Sequence, residues 1–267
     1  TTGAYQKCLL AFPRYRRFFE QMHATLHMLS HLVVTTLFPS RCLICHDLLQ
    51  ETGSLCRDHF HALNLVGDPC CTLCGFPFEF SSGESVLCAE CIHNPPAYDT
   101  GRTVMHYDSL SRVLITRLKY GDYTDLAVTL APMLHRAGGA FLSDCDMIIP
   151  VPLHWRRLLQ RTYNQSALLG GLVSQLSGVP MLPDGMVRTR HTPQQAGLDR
   201  KDRLKNVKRA FTVNHRHADR LAGARVCLID DVITTGATID ACCRALKQAR
   251  VEKIYVLSMA RTLRGHA

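Results

Sequence analysis

Two adjacent carboxylates, Asp230 and Asp231, stand between an apolar run and a loop of small residues, Thr234, Thr235, Gly236, Ala237 and Thr238. The run before them, Val226 to Ile229, reads as a buried parallel strand, and the acids follow at its carboxyl end. The small residues of the loop let backbone N–H groups approach a phosphate, and the helix that opens after them adds the positive end of its dipole. Thr234, Thr235 and Thr238 supply hydroxyl donors. The acids are placed to take the hydroxyls of a ribose, directly or through a magnesium ion held by oxygen ligands. The chemistry implied is the binding of a sugar phosphate. An ordinary core strand ending in a polar turn would not require all three features to coincide.

A second set of residues is spaced for metal. Cys42 and Cys45, Cys56 and His59, Cys71 and Cys74, and Cys88 and Cys91 are each separated by two residues. Such a gap lets one tight turn present two ligands to one ion, and two turns complete the tetrahedral shell that zinc prefers. Eight ligands fill two closed sites, one of three cysteines with a histidine and one of four cysteines, so the role is structural. Sequential pairing gives two stacked ribbons, and a cross-brace joining 42/45 to 71/74 is the alternative. His46, His93 and Cys70 read as bystanders. The chain has 13 cysteines, and pairs at this spacing, interleaved with histidine, favour metal binding in a reducing compartment over a disulfide framework. Cys8, Cys145, Cys227, Cys242 and Cys243 lie in apolar segments and read as small core residues.

Cations form the third set. Ile149-Pro150-Val151-Pro152 ends a strand in a proline-constrained loop that delivers His154, Trp155, Arg156 and Arg157, and Arg161 follows just before a helix. Loops at strand carboxyl ends are where ligands bind in parallel sheets, and arginine suits the oxygens of a pyrophosphate. The charge is uneven. Residues 1–98 carry a net −2 and residues 99–267 a net +11. Between Arg188 and Arg225 the net is +8, with Arg200, Lys201, Arg203, Lys205, Lys208 and Arg209 at its centre. That stretch reads equally as a hood over the site, a track for a nucleic-acid backbone, or a solvated surface.

The elements that position these residues follow from periodicity. Phe18, Met22, Leu26, Leu29, Val33 and Leu37 recur at helical spacing, so residues 1–40 are expected to form an amphipathic helical extension. His27 and His31 interrupt its apolar stretch, which is too short to span a bilayer and has no small-residue cleavage site. A cytoplasmic protein is expected. Residues 41–97 have apolar runs too short for a core and are expected to be a metal-held module. Asn94-Pro95-Pro96 marks a boundary. Beyond it, residues 98–267 alternate strands (98–107, a strand or hairpin; 147–151; 226–229; 254–259) with helices (110–118, 126–136, 165–176, 239–249). That order predicts an α/β domain, a mostly parallel sheet with helices on both faces.

The run Val226-Cys227-Leu228-Ile229-Asp230-Asp231-Val232-Ile233-Thr234-Thr235-Gly236-Ala237-Thr238 resembles the loop of type I phosphoribosyltransferases that binds phosphoribosyl pyrophosphate (PRPP). Over residues 41–262 the whole pattern is similar to the competence-protein ComF family. It shares the cysteine pairs, Leu118-Lys119-Tyr120, the Pro150-Val151-Pro152-Leu153 strand end and Arg161-Thr162-Tyr163-Asn164-Gln165. It also shares residues 192–198, Arg203-Leu204-Lys205-Asn206-Val207 and Ala210-Phe211. Thr162 stands where that family usually has glycine, and His59 where cysteine is commoner. The resemblance implies a type I phosphoribosyltransferase-like sheet preceded by a small zinc-ribbon module, with two structural zincs and magnesium arriving with PRPP. It implies that Asp230, Asp231 and residues 234–238 hold the ribose 5-phosphate and that the Arg156–Arg161 region faces pyrophosphate. It further implies a role in natural transformation, with single-stranded DNA and other DNA-uptake proteins as partners. An active phosphoribosyltransferase with an unnamed acceptor and a PRPP- or nucleotide-sensing regulator are the alternatives, because a fold alone does not establish transfer chemistry.

Overall fold

The computed structural model describes residues 40–49, 55–80, 86–120, 124–161, 163–190 and 210–262. Residues 1–39 of the expected N-terminal helical extension (1–40), Thr162 and the centre of the basic stretch (191–209) lie outside them. The chain divides into two compact units, Thr1–Cys56 and Arg57–Ala267. In the first, Arg41 and Leu48 form an antiparallel bridge around the turn that carries Cys42 and Cys45. His46, at a φ of 64°, donates its N–H to the Cys42 carbonyl at 2.9 Å.

The second unit begins with two short helices, α1 (Arg57–His61) and α2 (Ala89–His93). Strand β1 (Thr100–His106) is followed by α3 (Ser109–Tyr120) and α4 (Thr124–Leu142), then by β2 (Met147–Pro150), α5 (Trp155–Arg161) and α6 (Gln165–Ser177). A hairpin of β3 (Met186–Arg188) with β4 (Phe211–Val213) leads through a short α7 (Ala218–Leu221) to β5 (Arg225–Ile233), α8 (Ala237–Gln248) and β6 (Lys253–Arg261). Four strands pair in the order β1-β6-β5-β2, all parallel. This is the α/β class expected from the alternation of elements.

Both faces of the sheet are covered, which explains why its strands read as unbroken apolar runs. Successive side chains of a strand point to opposite faces. Ile149, Leu228, Val256 and Ile254 fall in one buried cluster with Ile239, Cys242, Cys243 and Leu246 of α8. On the other face, Leu257 lies against Gly138 of α4, while Ile148 and Ile229 lie against Gly170 of α6. Phe141 stacks on Tyr255 there at 4.8 Å. Gly138 is glycine because a Cβ would stand 2.7 Å from Leu257 Cδ1 and 2.9 Å from Leu142 Cδ1. Gly138→Val is therefore expected to overpack this layer and to lower stability by about 1–3 kcal/mol, read as a drop in the denaturation midpoint at unchanged slope.

The two outer strands each carry a short extended neighbour. Beside β1, Val66 donates to Val104 and His106 to Asn64, both at 2.8 Å. Beside β2, Ile148 donates to Pro180 at 2.9 Å and Leu182 to Ile148 at 2.8 Å.

Of the two forms expected at residues 98–107, a strand or a hairpin, the strand is found: β1 pairs with β6. Two local expectations are corrected. The segment after Pro152 is not loop throughout: α5 forms from Trp155, once the two prolines that cannot donate to a helix have passed. The strand that carries the acids does not stop at Ile229 but continues to Ile233, because β6 keeps pairing with it to Arg261. The hairpin β3–β4 was not anticipated. Its three-residue strands are too short to show a period.

Candidate functional site

The site arises from a difference in strand length. Strand β2 ends at Pro150, opposite Ile229, and Val151 makes a further bond to the Ile229 carbonyl at 2.9 Å. Beyond that point β5 runs on with only β6 beside it among the described residues, so Asp230 and Asp231 line an open crevice at the carboxyl end of the sheet. Ligands bind at this position in parallel α/β sheets. The cleft measures about 500 Å³, and its walls include Lys119, Tyr120, Arg161, Gln165, Arg188, Thr234 and Thr238 as well as both acids. A smaller recess of about 20 Å³ is lined by Asp230, Thr234, Gly236, Ala237 and Thr238.

The loop after β5 turns at Gly236 directly into α8. Gly236 has a φ of +78° and caps α8, whose first turn begins at Ala237. A side chain at that φ would be strained, and glycine also leaves the backbone N–H groups approachable.

Both acids are buried, at 9% and 6% exposure, so each needs partners. Asp230 Oδ1 accepts from the Asp231 N–H at 2.9 Å and from Ser166 Oγ at 3.3 Å. Asp231 Oδ2 accepts from Gln165 Nε2 at 2.8 Å and pairs with Lys119 Nζ at 3.1 Å. Gln165 and Ser166 reach the acids because they form the first turn of α6, which Asn164 fixes on both sides. Its side chain accepts from the Ser166 N–H at 3.0 Å and donates to the Val151 carbonyl at 3.1 Å. Burial, reinforced by the neighbouring charge of Asp231, pushes the Asp230 carboxyl up to about 7; the Asp231 N–H, Lys119 and Ser166 oppose the rise. A carboxyl that titrates at neutral pH inside a cleft marks a working site more often than a structural one.

The cations expected to face pyrophosphate are separated. Arg161 lines the cleft, donates to the Tyr120 hydroxyl at 3.2 Å and stacks over that ring at 4.9 Å. Arg156 instead stacks over the exposed Trp155 at 5.3 Å. The side chain of Arg157 lies outside the described residues. Arg188, at the root of the basic stretch, lines the cleft and stacks over Phe211 at 5.0 Å. Residue types and spacing left Lys119, Ser166 and Arg188 unmarked as site residues, and Gln165 entered only within a motif. The one signal for Lys119 was its place in the Leu118-Lys119-Tyr120 segment.

The eight expected metal ligands come together in two groups paired sequentially, which excludes the cross-brace. The ligand atoms of Cys42, Cys45, Cys56 and His59 lie within 4.8 Å of one another, and so do those of Cys71, Cys74, Cys88 and Cys91. Ligands about 2.3 Å from a tetrahedral zinc stand about 3.8 Å apart. The Cys45–Cys56 and Cys74–Cys88 sulfur separations are 3.9 Å and 3.7 Å, so the donor sets fit that ion. In each group one sulfur receives backbone N–H bonds, Cys42 from Ile44 at 3.5 Å and Cys71 from Cys88 at 3.3 Å. Burial raises both thiols, but these and neighbouring N–H groups outweigh it and bring them down to about 6 and about 7. His46, His93 and Cys70 belong to neither group.

The four-cysteine group is continuous with the residues that flank the loop between β5 and α8. Its cysteines share a buried cluster with Ile233, Ala237 and Ile239. Arg261, paired in register with Ile233 at the end of β6, donates to the Cys74 carbonyl at 2.7 Å. Thr262 donates to the Ile233 carbonyl at 3.0 Å.

Residues 33–92 match the double zinc ribbon domain family. Competence protein F of Haemophilus influenzae is 34% identical over 230 residues, covering 84% of this chain and 98% of that protein. This chain belongs to the competence protein F family. Within it, DNA utilization protein YhgH of Escherichia coli O157:H7 is 30% identical over 72% of this chain and 84% of its own length. Competence protein ComFC of Bacillus subtilis is 23% identical over 77% and 88%. Among solved structures, glutamine PRPP amidotransferase from B. subtilis aligns over 53% of this chain and 30% of its own, at 15% identity and a TM-score of 0.33. Adenine phosphoribosyltransferase aligns over 57% and 69%, at 16% identity and a TM-score of 0.27. The fold of this family member rests on its own strand order and crevice, not on these partial overlays. Among the described residues no helix is long and apolar enough to cross a membrane.

Proposed function

We propose that this protein binds PRPP with magnesium in the cleft and that it handles incoming single-stranded DNA in the cytoplasm during natural transformation. The observation that carries the ligand is the buried pair Asp230 and Asp231 beside a phosphate loop capped by a left-handed Gly236, at the open end of β5. The loop N–H groups and threonine hydroxyls suit the 5-phosphate, the acids suit the ribose hydroxyls, and Arg161 and Arg188 suit the pyrophosphate. The oxygen donors of Asp230 and Asp231 fit magnesium, which they would hold and which would supply positive charge to offset that of the phosphates. Both cysteine groups hold structural zinc in this reading, since neither leaves a ligand position open.

The nucleic-acid half of the proposal is supported by the +11 charge of residues 99–267 and by the names of the relatives, competence and DNA utilization proteins. Other DNA-uptake proteins are the expected partners. One observation favours a second reading, turnover by phosphoribosyl transfer. Asp230, titrating near 7, has the proton affinity of a general base for an acceptor.

The deciding experiment measures PRPP binding, PRPP turnover and single-strand binding on one sample across a salt series. Single-strand affinity is expected to fall steeply with salt and to show little base preference. Neutralising Arg200, Lys201, Lys205 and Lys208 together should reduce the slope of log affinity against log salt by up to about 3. Equal slopes for the parent and the fourfold variant remove the basic stretch from DNA handling. Consumption of PRPP with a base or nucleoside acceptor moves the protein to the transferase reading.

A further inference from the structure

Lys119 is a cation held in the cleft against the acids. It is the penultimate residue of α3, and that helix end is fixed by contacts from the α5–α6 segment. The Tyr163 hydroxyl donates to the Leu118 carbonyl at 2.6 Å, and Arg161 binds the Tyr120 hydroxyl. Leu118 is fully buried, so the backbone that carries Lys119 is anchored. The side chain is not: 22% exposed, it extends a flexible four-carbon stem along the cleft wall to Asp231 Oδ2 at 3.1 Å. The same oxygen takes the Gln165 amide, which leaves Gln165 Oε1 buried, in a side chain 3% exposed, with no hydrogen-bond partner. A buried acceptor without a donor is costly, and this one belongs to a residue that lines the cleft. It is complementary to a hydroxyl or to a metal-bound water.

We propose that Lys119 is a tethered competitor for the cation position at Asp231, displaced by a divalent cation and transferred to a phosphate oxygen of the incoming ligand, while Gln165 Oε1 accepts a hydroxyl of the ribose. The proposal rests on the ribose-phosphate reading of the cleft and adds an exchange to it. A lone divalent cation must evict an ammonium that then loses its carboxylate partner, so metal by itself binds weakly. A cation that arrives with a phosphate gives Lys119 a new anionic partner. The site thereby discriminates a metal–phosphate complex from free metal, and Lys119 is a positioning residue for that choice.

The test uses the full chain and two probes, Mn²⁺ alone, followed by electron paramagnetic resonance of the free ion, and PRPP with Mg²⁺, followed by calorimetry. Removing the competitor with Lys119→Met is expected to tighten Mn²⁺ binding about tenfold, since an opposing unit charge a few ångströms away is lost. The same variant is expected to bind PRPP with Mg²⁺ at least tenfold more weakly, because the phosphate loses its lysine. Lys119→Arg keeps the charge and should stay within about threefold of the parent for Mn²⁺. Gln165→Leu should weaken PRPP and leave Mn²⁺ within about threefold. Unchanged or weaker Mn²⁺ binding by Lys119→Met overturns the exchange, even where PRPP still binds the parent. Tighter Mn²⁺ binding by that variant, with no PRPP binding by the parent, keeps the exchange and removes the PRPP reading instead. A thermal melt of each variant accompanies the titrations, and Lys119→Gln replaces the methionine variant if that one is unfolded.

Discussion

Replacing Asp230 and Asp231 together by asparagine is expected to reduce binding of PRPP with magnesium by at least a hundredfold while the chain stays folded. Calorimetry on the parent and the double variant reads it, and equal affinities would discard the acid pair as the ribose site. The effect is large because both carboxylates face one cleft and no third described acid lines it. The single variant Asp230→Asn has a pH signature as well. Burial and then the charge of Asp231 raise the Asp230 carboxyl from an ordinary value near 3.8 to about 7. The folded protein therefore holds this proton more tightly than the unfolded chain, and its stability is lost as pH rises through about 7. Asp230→Asn removes that loss. It should leave stability nearly unchanged below about pH 3.8 and raise it at pH 8 by at least tenfold in the folding equilibrium, about 1.4 kcal/mol. Ligand affinity of the parent runs the other way, rising between pH 6 and 8 as the carboxylate forms. A variant more stable at pH 8 yet unable to bind would identify the buried acid as kept for function.

The second large effect concerns the four-cysteine group. Cys74→Ser is expected to lower the zinc content from about two per chain to about one and to reduce the melting temperature by about 10 °C or more. It should also abolish PRPP binding, although Cys74 is not among the residues lining the cleft. The route is short. Cys74 shares its buried cluster with Ile233, Ala237 and Ile239, and its carbonyl is held by Arg261, which pairs with Ile233 just before the loop that opens α8. Cys42→Ser is the matched control. It belongs to the other compact unit, and should lose one zinc while PRPP affinity stays within about threefold. Elemental analysis and calorimetry on the two variants decide it. Intact PRPP binding by zinc-depleted Cys74→Ser would show that the loop holds its shape unaided.

What could be read in the sequence was local. The ligand pairs are separated by two residues, so their spacing carries the geometry. The β5 run and the glycine after it encode strand, turn and helix start within 13 positions. Lys119 and Asp231 meet at 3.1 Å across 112 positions of chain, and neither residue announces the other. Gln165 and Ser166 reach the acids only because Asn164 ties α6 to the end of β2. The end of β5 was misplaced because the acids look like a boundary, whereas pairing with β6 is a backbone property that ignores side-chain polarity. The separation of Arg156 from Arg161 follows from α5, a helix that the preceding prolines disguised.

The short segments beside β1 and β2 have a consequence for the protein in a crowded cell. An open parallel sheet offers two rows of unpaired N–H and C=O groups, each a template for strands of another molecule. Here residues 64–66 lie along the last three residues of β1, and residues 180–182 lie beside Ile148 of β2. These segments cover part of each outer strand, and on the β2 side the cover begins with Pro180, which has no N–H to offer a further strand, so both edges are blunted against pairing with another copy.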